Sequence, residues 1–129
     1  MTRQEIQERN RQIALMLGGY KCSEISEQYE LPKFMTFPPK GKSNLCHTAK
    51  VCLLENMQFH SDWSWLMEAV EFIERLSVHH MVETNRSSCV IYNGKSIITA
   101  NYFKADKTKT EAVFIAVSDF AKLYNNKEL

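Results

Sequence analysis

A chain of 129 residues, 44% of them hydrophobic and 24% charged, can bury a core of its own and is typical of a single globular domain, here residues 1–129. Its formal net charge of +1 gives no global attraction to nucleic acid or to an anionic membrane. Because no stretch reaches the roughly 18 apolar residues of a membrane-spanning helix, and the first residues lack the pattern of a signal peptide, we expect a cytoplasmic protein without a membrane partner.

The first predicted element is an amphipathic helix over residues 2–17. Thr2 and Glu5 have the spacing of a capping box, in which the first side chain accepts a hydrogen bond from the backbone N–H three residues later. The apolar residues at helical spacing predict a buried face made of Ile6, Ile13, Ala14 and Leu17. Gly18 and Gly19 are expected to end the helix.

Residues 20–55 form a segment rich in proline and lysine, which we expect to be irregular. Pro32, Pro38 and Pro39 argue against long helices or strands here. Between positions 31 and 54 the chain has no acidic residue and four lysines, namely Lys33, Lys40, Lys42 and Lys50. Short strands are expected only near 51–54 and 57–59.

Residues 61–78 are predicted to form a core helix. Ser61 or Asp62 can cap its first turn. Apolar residues at three- and four-residue spacing mark one buried face, namely Trp65, Leu66, Ala69, Phe72, Ile73 and Leu76. Trp63 lies beside this stripe, so it either packs at its border or lines a groove.

The C-terminal third predicts a hairpin and a closing helix. Residues 88–103 have the strongest hairpin pattern, because Asn93-Gly94 suits the centre of a two-residue type I′ turn between β-branched residues. Residues 109–125 predict a helix, since Thr108 and Glu111 repeat the capping-box spacing. Together the elements predict an α+β fold, in which three helices pack on a small antiparallel sheet with a central β-hairpin.

Two blocks of sequence resemble a known group of proteins. Residues 59–74, which read FHSDWSWLMEAVEFIE, resemble a recurrent block in small phage and prophage proteins of unknown function, the helix–sheet–helix "phage ABA sandwich" group. Residues 110–125, which read TEAVFIAVSDFAKLYN, resemble the closing helix of the same proteins. The resemblance implies a phage-encoded accessory protein, and it carries no established catalytic residues.

The patterns that indicate catalysis or metal binding are weak. Gly41-Lys42-Ser43 lacks the earlier glycine that a phosphate-binding P-loop requires. Cys46-His47 and His79-His80 are adjacent pairs, which do not have the usual spacing of zinc ligands. We therefore expect no enzyme, no metal and no cofactor, and keep a small cytosolic hydrolase using Cys46 and His47 as the second alternative.

Binding is the function that the sequence favours. The resemblance to phage proteins implies a counter-defence or host-takeover factor. The leading hypothesis is that this factor sequesters a small anionic, nucleotide-like ligand, because lysines supply positive charge and aromatic rings can stack on a base. The expected contacts are Lys33, Phe37, Lys40, Lys42, Lys50, His60, Ser61 and Trp63.

The first alternative is an inhibitor or adaptor that binds a host protein through residues 20–55 and the hairpin. A short sheet with an open edge also suits a homodimer formed by strand pairing. Sequence-specific DNA binding is not expected, because no helix-turn-helix or basic helix is evident.

Overall fold

The computed structural model describes residues 1–31, 51–86, 88–102 and 108–129. These ranges contain three helices, α1 (Arg3–Met16), α2 (Trp63–Arg75) and α3 (Lys109–Asn125). They also contain six strands, β1 (Tyr20–Lys21), β2 (Gln28–Glu30), β3 (Val51–Leu53), β4 (His80–Thr84), β5 (Ser88–Asn93) and β6 (Ser96–Tyr102). A short 3-10 helix, Leu54–Asn56, follows β3.

The strands form two antiparallel sheets. The small sheet has the order β1-β2-β3 and the main sheet has the order β4-β5-β6. The α+β class predicted from the sequence is confirmed, with two three-stranded sheets in place of one. None of the helices in the described ranges has the length and apolarity that a bilayer-spanning segment needs.

Helix α3 lies at the packing centre of the domain. It buries nine of its 17 residues, more than a single apolar stripe would require. The extra buried positions include Phe114, Ile115 and Ala121, because α3 packs on α1 and also on the main sheet. The hydroxyl of Thr99 in β6 donates to the carbonyl of Ala116 in α3 at 3.1 Å, which joins sheet and helix.

Helix α2 begins where its cap predicts and is shorter than expected at both ends. The Asp62 carboxylate accepts hydrogen bonds from the backbone N–H groups of Ser64 at 2.9 Å and Trp65 at 3.4 Å. The ring of Trp65 is fully buried and meets Phe59 edge-on, with 5.1 Å between the ring centroids. The helix ends at Arg75, three residues before the predicted end, and β4 begins at His80.

The conformation of the chain at the end of α1 requires glycine at positions 18 and 19. Gly18 adopts a φ of 96°, a left-handed conformation that favours glycine, and the N–H of Gly19 donates to the carbonyl of Ala14 at 2.9 Å. A Cβ on Gly19 would lie 2.8 Å from that same oxygen and 3.1 Å from the carbonyl oxygen of Glu30. Gly19 therefore lets β2 approach the end of α1 closely.

Part of the segment expected to be irregular forms the small sheet. Tyr29 of β2 pairs with Cys52 of β3, and its buried side chain joins the sheet to α1. The Tyr29 hydroxyl accepts a hydrogen bond from Nε of Arg11 at 2.9 Å and donates one to Oε2 of Glu27 at 2.9 Å. The prediction of an irregular segment was wrong for 20–21 and 28–30, whereas β3 confirms the short strand expected near 51–54. The short strand expected near 57–59 was wrong, because these residues belong to the turn before α2, and residues 32–50 lie outside the described ranges.

The predicted hairpin is confirmed, but its turn lies one residue further along the chain. Asn93 and Ser96 form the closing pair, so Gly94 and Lys95 are the two central residues. Of these two only Gly94 has a positive φ, +64°. The predicted type I′ turn centred on Asn93-Gly94 was wrong, because that type needs positive φ at both central residues. Glycine at the first central position fits a type II′ turn.

Candidate binding surface

The main sheet has two unlike faces. Side chains alternate along β4, where His80, Val82 and Thr84 are partly buried while Met81 and Glu83 are exposed. The first set belongs to the inner face, on which α2 and α3 pack, and the ring of His80 meets Phe120 of α3 edge-on at 6.1 Å. Met81 and Glu83 point away from these helices, and we call that side the outer face.

The outer face carries large apolar side chains that are exposed. Strand register places Met81 of β4 beside Tyr92 of β5, and Tyr92 beside Ile97 of β6. The residue exposures are 46% for Met81, 58% for Ile97 and 66% for Tyr102 at the far end of β6, whereas Val90 in the middle strand is buried. An apolar cluster of this kind on one sheet face is typical of a surface that meets another molecule.

The two edges of the main sheet also differ. On the β4 side, Oε2 of Glu74 in α2 accepts a hydrogen bond from the backbone N–H of Val82 at 3.4 Å. On the β6 side, no strand within the described ranges pairs with the outer edge. The seven residues of β6, SIITANY, include no charged residue and no proline. Protection by charge or proline, which is common on edge strands, is therefore missing from β6.

His60, one of the expected ligand contacts, has a structural role in the turn before α2. Its Nδ1 atom lies 3.1 Å from Nδ2 of the buried Asn10 in α1, and its ring meets Phe114 edge-on at 6.0 Å. Burial lowers the pKa of His60, so the neutral imidazole is favoured. The ring therefore helps to hold the turn between α1 and α3.

Ser61 and Trp63 lie at the exposed start of α2, with Trp63 43% exposed. The backbone N–H groups of Ser61 and Asp62 donate to the carbonyl of Gln58 at 3.1 and 2.8 Å. The N–H groups of the next turn donate to the Asp62 carboxylate. Backbone donors that could bind an anion near Ser61 are thus already used. The Ser61 side chain and part of the Trp63 ring stay accessible.

The five remaining expected contacts lie outside the described ranges, and they are Lys33, Phe37, Lys40, Lys42 and Lys50.

A groove of about 430 Å³ runs between α1 and α3. Arg9 lies along it and donates from one guanidinium nitrogen to Asp119 Oδ1 at 2.7 Å and to Ser118 Oγ at 2.8 Å. Glu5 and Glu8 add further negative charge to its lining. Because the Arg9 charge is balanced by Asp119, this groove offers little attraction for an anionic ligand.

The described thiols and imidazoles do not form a reactive cluster. No group of three histidine, cysteine, aspartate or glutamate side chains within the described ranges could hold a metal ion. Burial raises the pKa of the Cys89 thiol, which makes its reactive thiolate less available. Cys46 and His47, on which the hydrolase alternative depends, lie outside the described residues.

Comparison with family models, with curated proteins and with solved structures finds no match to this chain. The resemblance to the phage ABA sandwich group stays a prediction from two blocks of sequence.

Proposed function

We propose that this protein acts by binding a partner protein on the outer face of the main sheet, and not by catalysing a reaction. One observation carries the proposal. Met81 and Ile97 flank Tyr92 across three strands and are about half exposed, while the opposite face of the same sheet is packed against two helices. Exposed apolar side chains of this size lose contact with water when a partner covers them, which favours association.

The residue types of the outer face favour a protein partner over a polyanion. Methionine and tyrosine are enriched in protein interfaces, and tyrosine supplies both apolar area and a hydroxyl at the rim. The exposed charges near the face have opposite signs, Glu83 in β4 and Lys95 in the turn. Such a mixture gives no net attraction to a phosphate backbone.

The resemblance to phage proteins suggests where this partner comes from. A phage-encoded accessory protein acts in a host cell, so the partner would be a host protein. Binding of this chain would cover part of the host protein's surface and inhibit its activity. This part of the proposal rests on the two resembling blocks and not on the geometry. It corresponds to the inhibitor or adaptor alternative, with the hairpin and β4 as the contact surface.

The small anionic ligand stays a prediction alongside this proposal. In its favour, the Trp63 ring is partly exposed beside the accessible Ser61 side chain. Its five remaining contacts lie within residues 32–50, outside the described ranges.

The protein-partner proposal is tested with a matched pair of charge substitutions. Met81→Lys places a charge on the outer face, whereas Val78→Lys makes the same change at a residue that is 94% exposed in the link between α2 and β4. A host protein captured by the wild-type chain is identified, purified and titrated against all three forms. We expect Met81→Lys to weaken binding by about tenfold or more, and Val78→Lys to leave it unchanged. Equal binding by Met81→Lys and the wild type would refute the proposal.

A further inference from the structure

The outer edge of β6 is open to backbone pairing within the described part of the chain. In an antiparallel sheet, every second residue of an edge strand points its N–H and C=O away from the neighbouring strand. The strand Ser96–Tyr102 pairs with β5 on one side only. The backbone N–H and C=O groups of β6 that point away from β5 therefore have no strand partner among the described residues.

The opposite edge of the same sheet is built differently. On β4, the Glu74 carboxylate covers the backbone N–H of Val82, and Glu83 adds a charge to the strand itself. These features discourage another strand from pairing with β4. Of the two edges, β6 is the one suited to a new strand.

The chemistry of β6 fits a second copy of itself. Since none of its residues is charged, every antiparallel register of two β6 strands avoids placing like charges opposite one another. A different partner selected by charge would find nothing on this strand to recognise. Pairing of identical strands also closes on itself with two-fold symmetry, so association stops at a dimer.

The exposed side chains point to the same edge. The two most exposed apolar residues of the outer face, Ile97 and Tyr102, both belong to β6. Pairing of two β6 strands would bring Ile97 and Tyr102 of both copies to the central strands of a wider sheet. The contact of Thr99 with the Ala116 carbonyl lies on the inner face and would be undisturbed.

We propose that two copies of this chain associate through antiparallel pairing of their β6 strands, which joins two three-stranded sheets into one of six strands. This inference does not depend on the proposed function, because it concerns the edge of the main sheet and a second copy of the chain. A dimer would also present two outer faces side by side, so a partner protein with repeated sites would bind more tightly.

Sedimentation equilibrium over a range of protein concentrations tests the inference. We expect a reversible dimer for the wild type. Ile97→Lys and, separately, Tyr102→Lys should raise the dimer dissociation constant about tenfold or more, because each places like charges from both copies near the shared edge. Val78→Lys, with the same charge change away from the sheet, should dimerise like the wild type. Circular dichroism and melting temperature establish that each variant is folded.

Met81→Lys separates this arrangement from association of two outer faces. Met81 lies on β4, at the far side of the sheet from the open edge. Strand pairing predicts that Met81→Lys dimerises normally even if it no longer binds a partner protein. Loss of the dimer in Met81→Lys, with the dimer retained in Ile97→Lys and Tyr102→Lys, would overturn the inference, as would a wild-type chain that is monomeric at every concentration.

Hydrogen exchange shows directly which edge strand of the main sheet is protected on association. Amide protons of β6 that point away from β5 should exchange more slowly as the protein concentration rises, because pairing buries them in new hydrogen bonds. Amide protons of β4 should show no concentration dependence. Slowing on β4 instead of β6 would contradict the proposed edge.

Discussion

The side-chain amide nitrogen of Asn10 donates a hydrogen bond to Nδ1 of His60 at 3.1 Å, and it also lies 3.3 Å from the carbonyl oxygen of Met57. Since an amide N–H₂ group can only donate, Nδ1 must be unprotonated and the ring proton must lie on Nε2. Asn10 is buried, so this contact joins α1 to the turn before α2 in the interior of the domain.

The contact predicts that stability depends on pH. Burial lowers the pKa of His60 below its ordinary value of about 6.5 in the folded protein, so the unfolded chain binds a proton more readily. The free energy of unfolding should therefore be greatest above about pH 6.5 and should fall as the pH drops from there toward the lowered pKa. Urea denaturation at a series of pH values between about 5 and 8 measures this dependence. His60→Gln should reduce the dependence of the free energy of unfolding on pH in that interval. An unchanged dependence would mean that groups other than His60 cause it.

Tyr29→Phe should destabilise the domain by about 1 kcal/mol. The substitution removes the hydroxyl that accepts from Arg11 and donates to Glu27, while leaving the buried ring in place. Tyr124→Phe is the matched control, because Tyr124 is 37% exposed and the substitution likewise removes only a hydroxyl. Chemical denaturation compares the two variants. Equal stability of Tyr29→Phe and Tyr124→Phe would show that the hydrogen bonds at Tyr29 contribute nothing net.

Gly19→Ala should lower stability by about 1–3 kcal/mol, because the new methyl group would lie 2.8 Å from the Ala14 carbonyl oxygen and force the end of α1 away from β2. Ile25→Ala is the control, because Ile25 lies between β1 and β2 and is 98% exposed. Melting temperatures should fall much further for Gly19→Ala than for Ile25→Ala. The reverse order would mean that the crowding at Gly19 relaxes at little cost.

The small-ligand hypothesis predicts that a nucleotide from a broad panel raises the melting temperature, since a ligand that binds only the native state stabilises it. A tenfold excess of ligand over its dissociation constant adds about 1.4 kcal/mol. Trp63→Ala should reduce the shift if the ring stacks on a base, whereas Tyr124→Ala, at another partly exposed aromatic residue, should not. If no member of the panel raises the melting temperature, the small-ligand hypothesis is contradicted.

Local signals in the sequence predict the helices well. The side chains of Thr2, Asp62 and Thr108 each accept a backbone hydrogen bond at the start of a helix, as their spacing predicts. Capping depends on residues within three positions of one another, so a sequence is sufficient to recognise it. Gly18 and Gly19 can be recognised in the same way, because they directly follow the helix that they end.

Features that depend on distant parts of the chain could not be predicted in this way. The small sheet requires Tyr29 to meet Cys52, and strands of two or three residues show too little alternation to be recognised. Asn10 falls in a polar stretch of α1, yet it is buried because His60 approaches it from another element.

The candidate surface shows the same limit. Alternation along β4 and β6 separates two faces, but only the packing of α2 and α3 determines which of them is exposed. The sequence therefore indicated the hairpin as a place for contacts without identifying Met81 or Ile97. An uncharged strand is visible in the sequence, whereas its position at an edge is not.

The central position of α3 has a consequence for how the chain folds. Arg9 in α1 bonds to Asp119 in α3 across 110 positions of sequence, and the main sheet packs on the same helix. Closing so long a loop costs conformational entropy before any contact repays it, so we expect the contacts of α1 and the main sheet with α3 to form late. During synthesis, the apolar side chains that pack on α3 stay exposed until residues 109–125 have been made, and chaperones can bind them in that period.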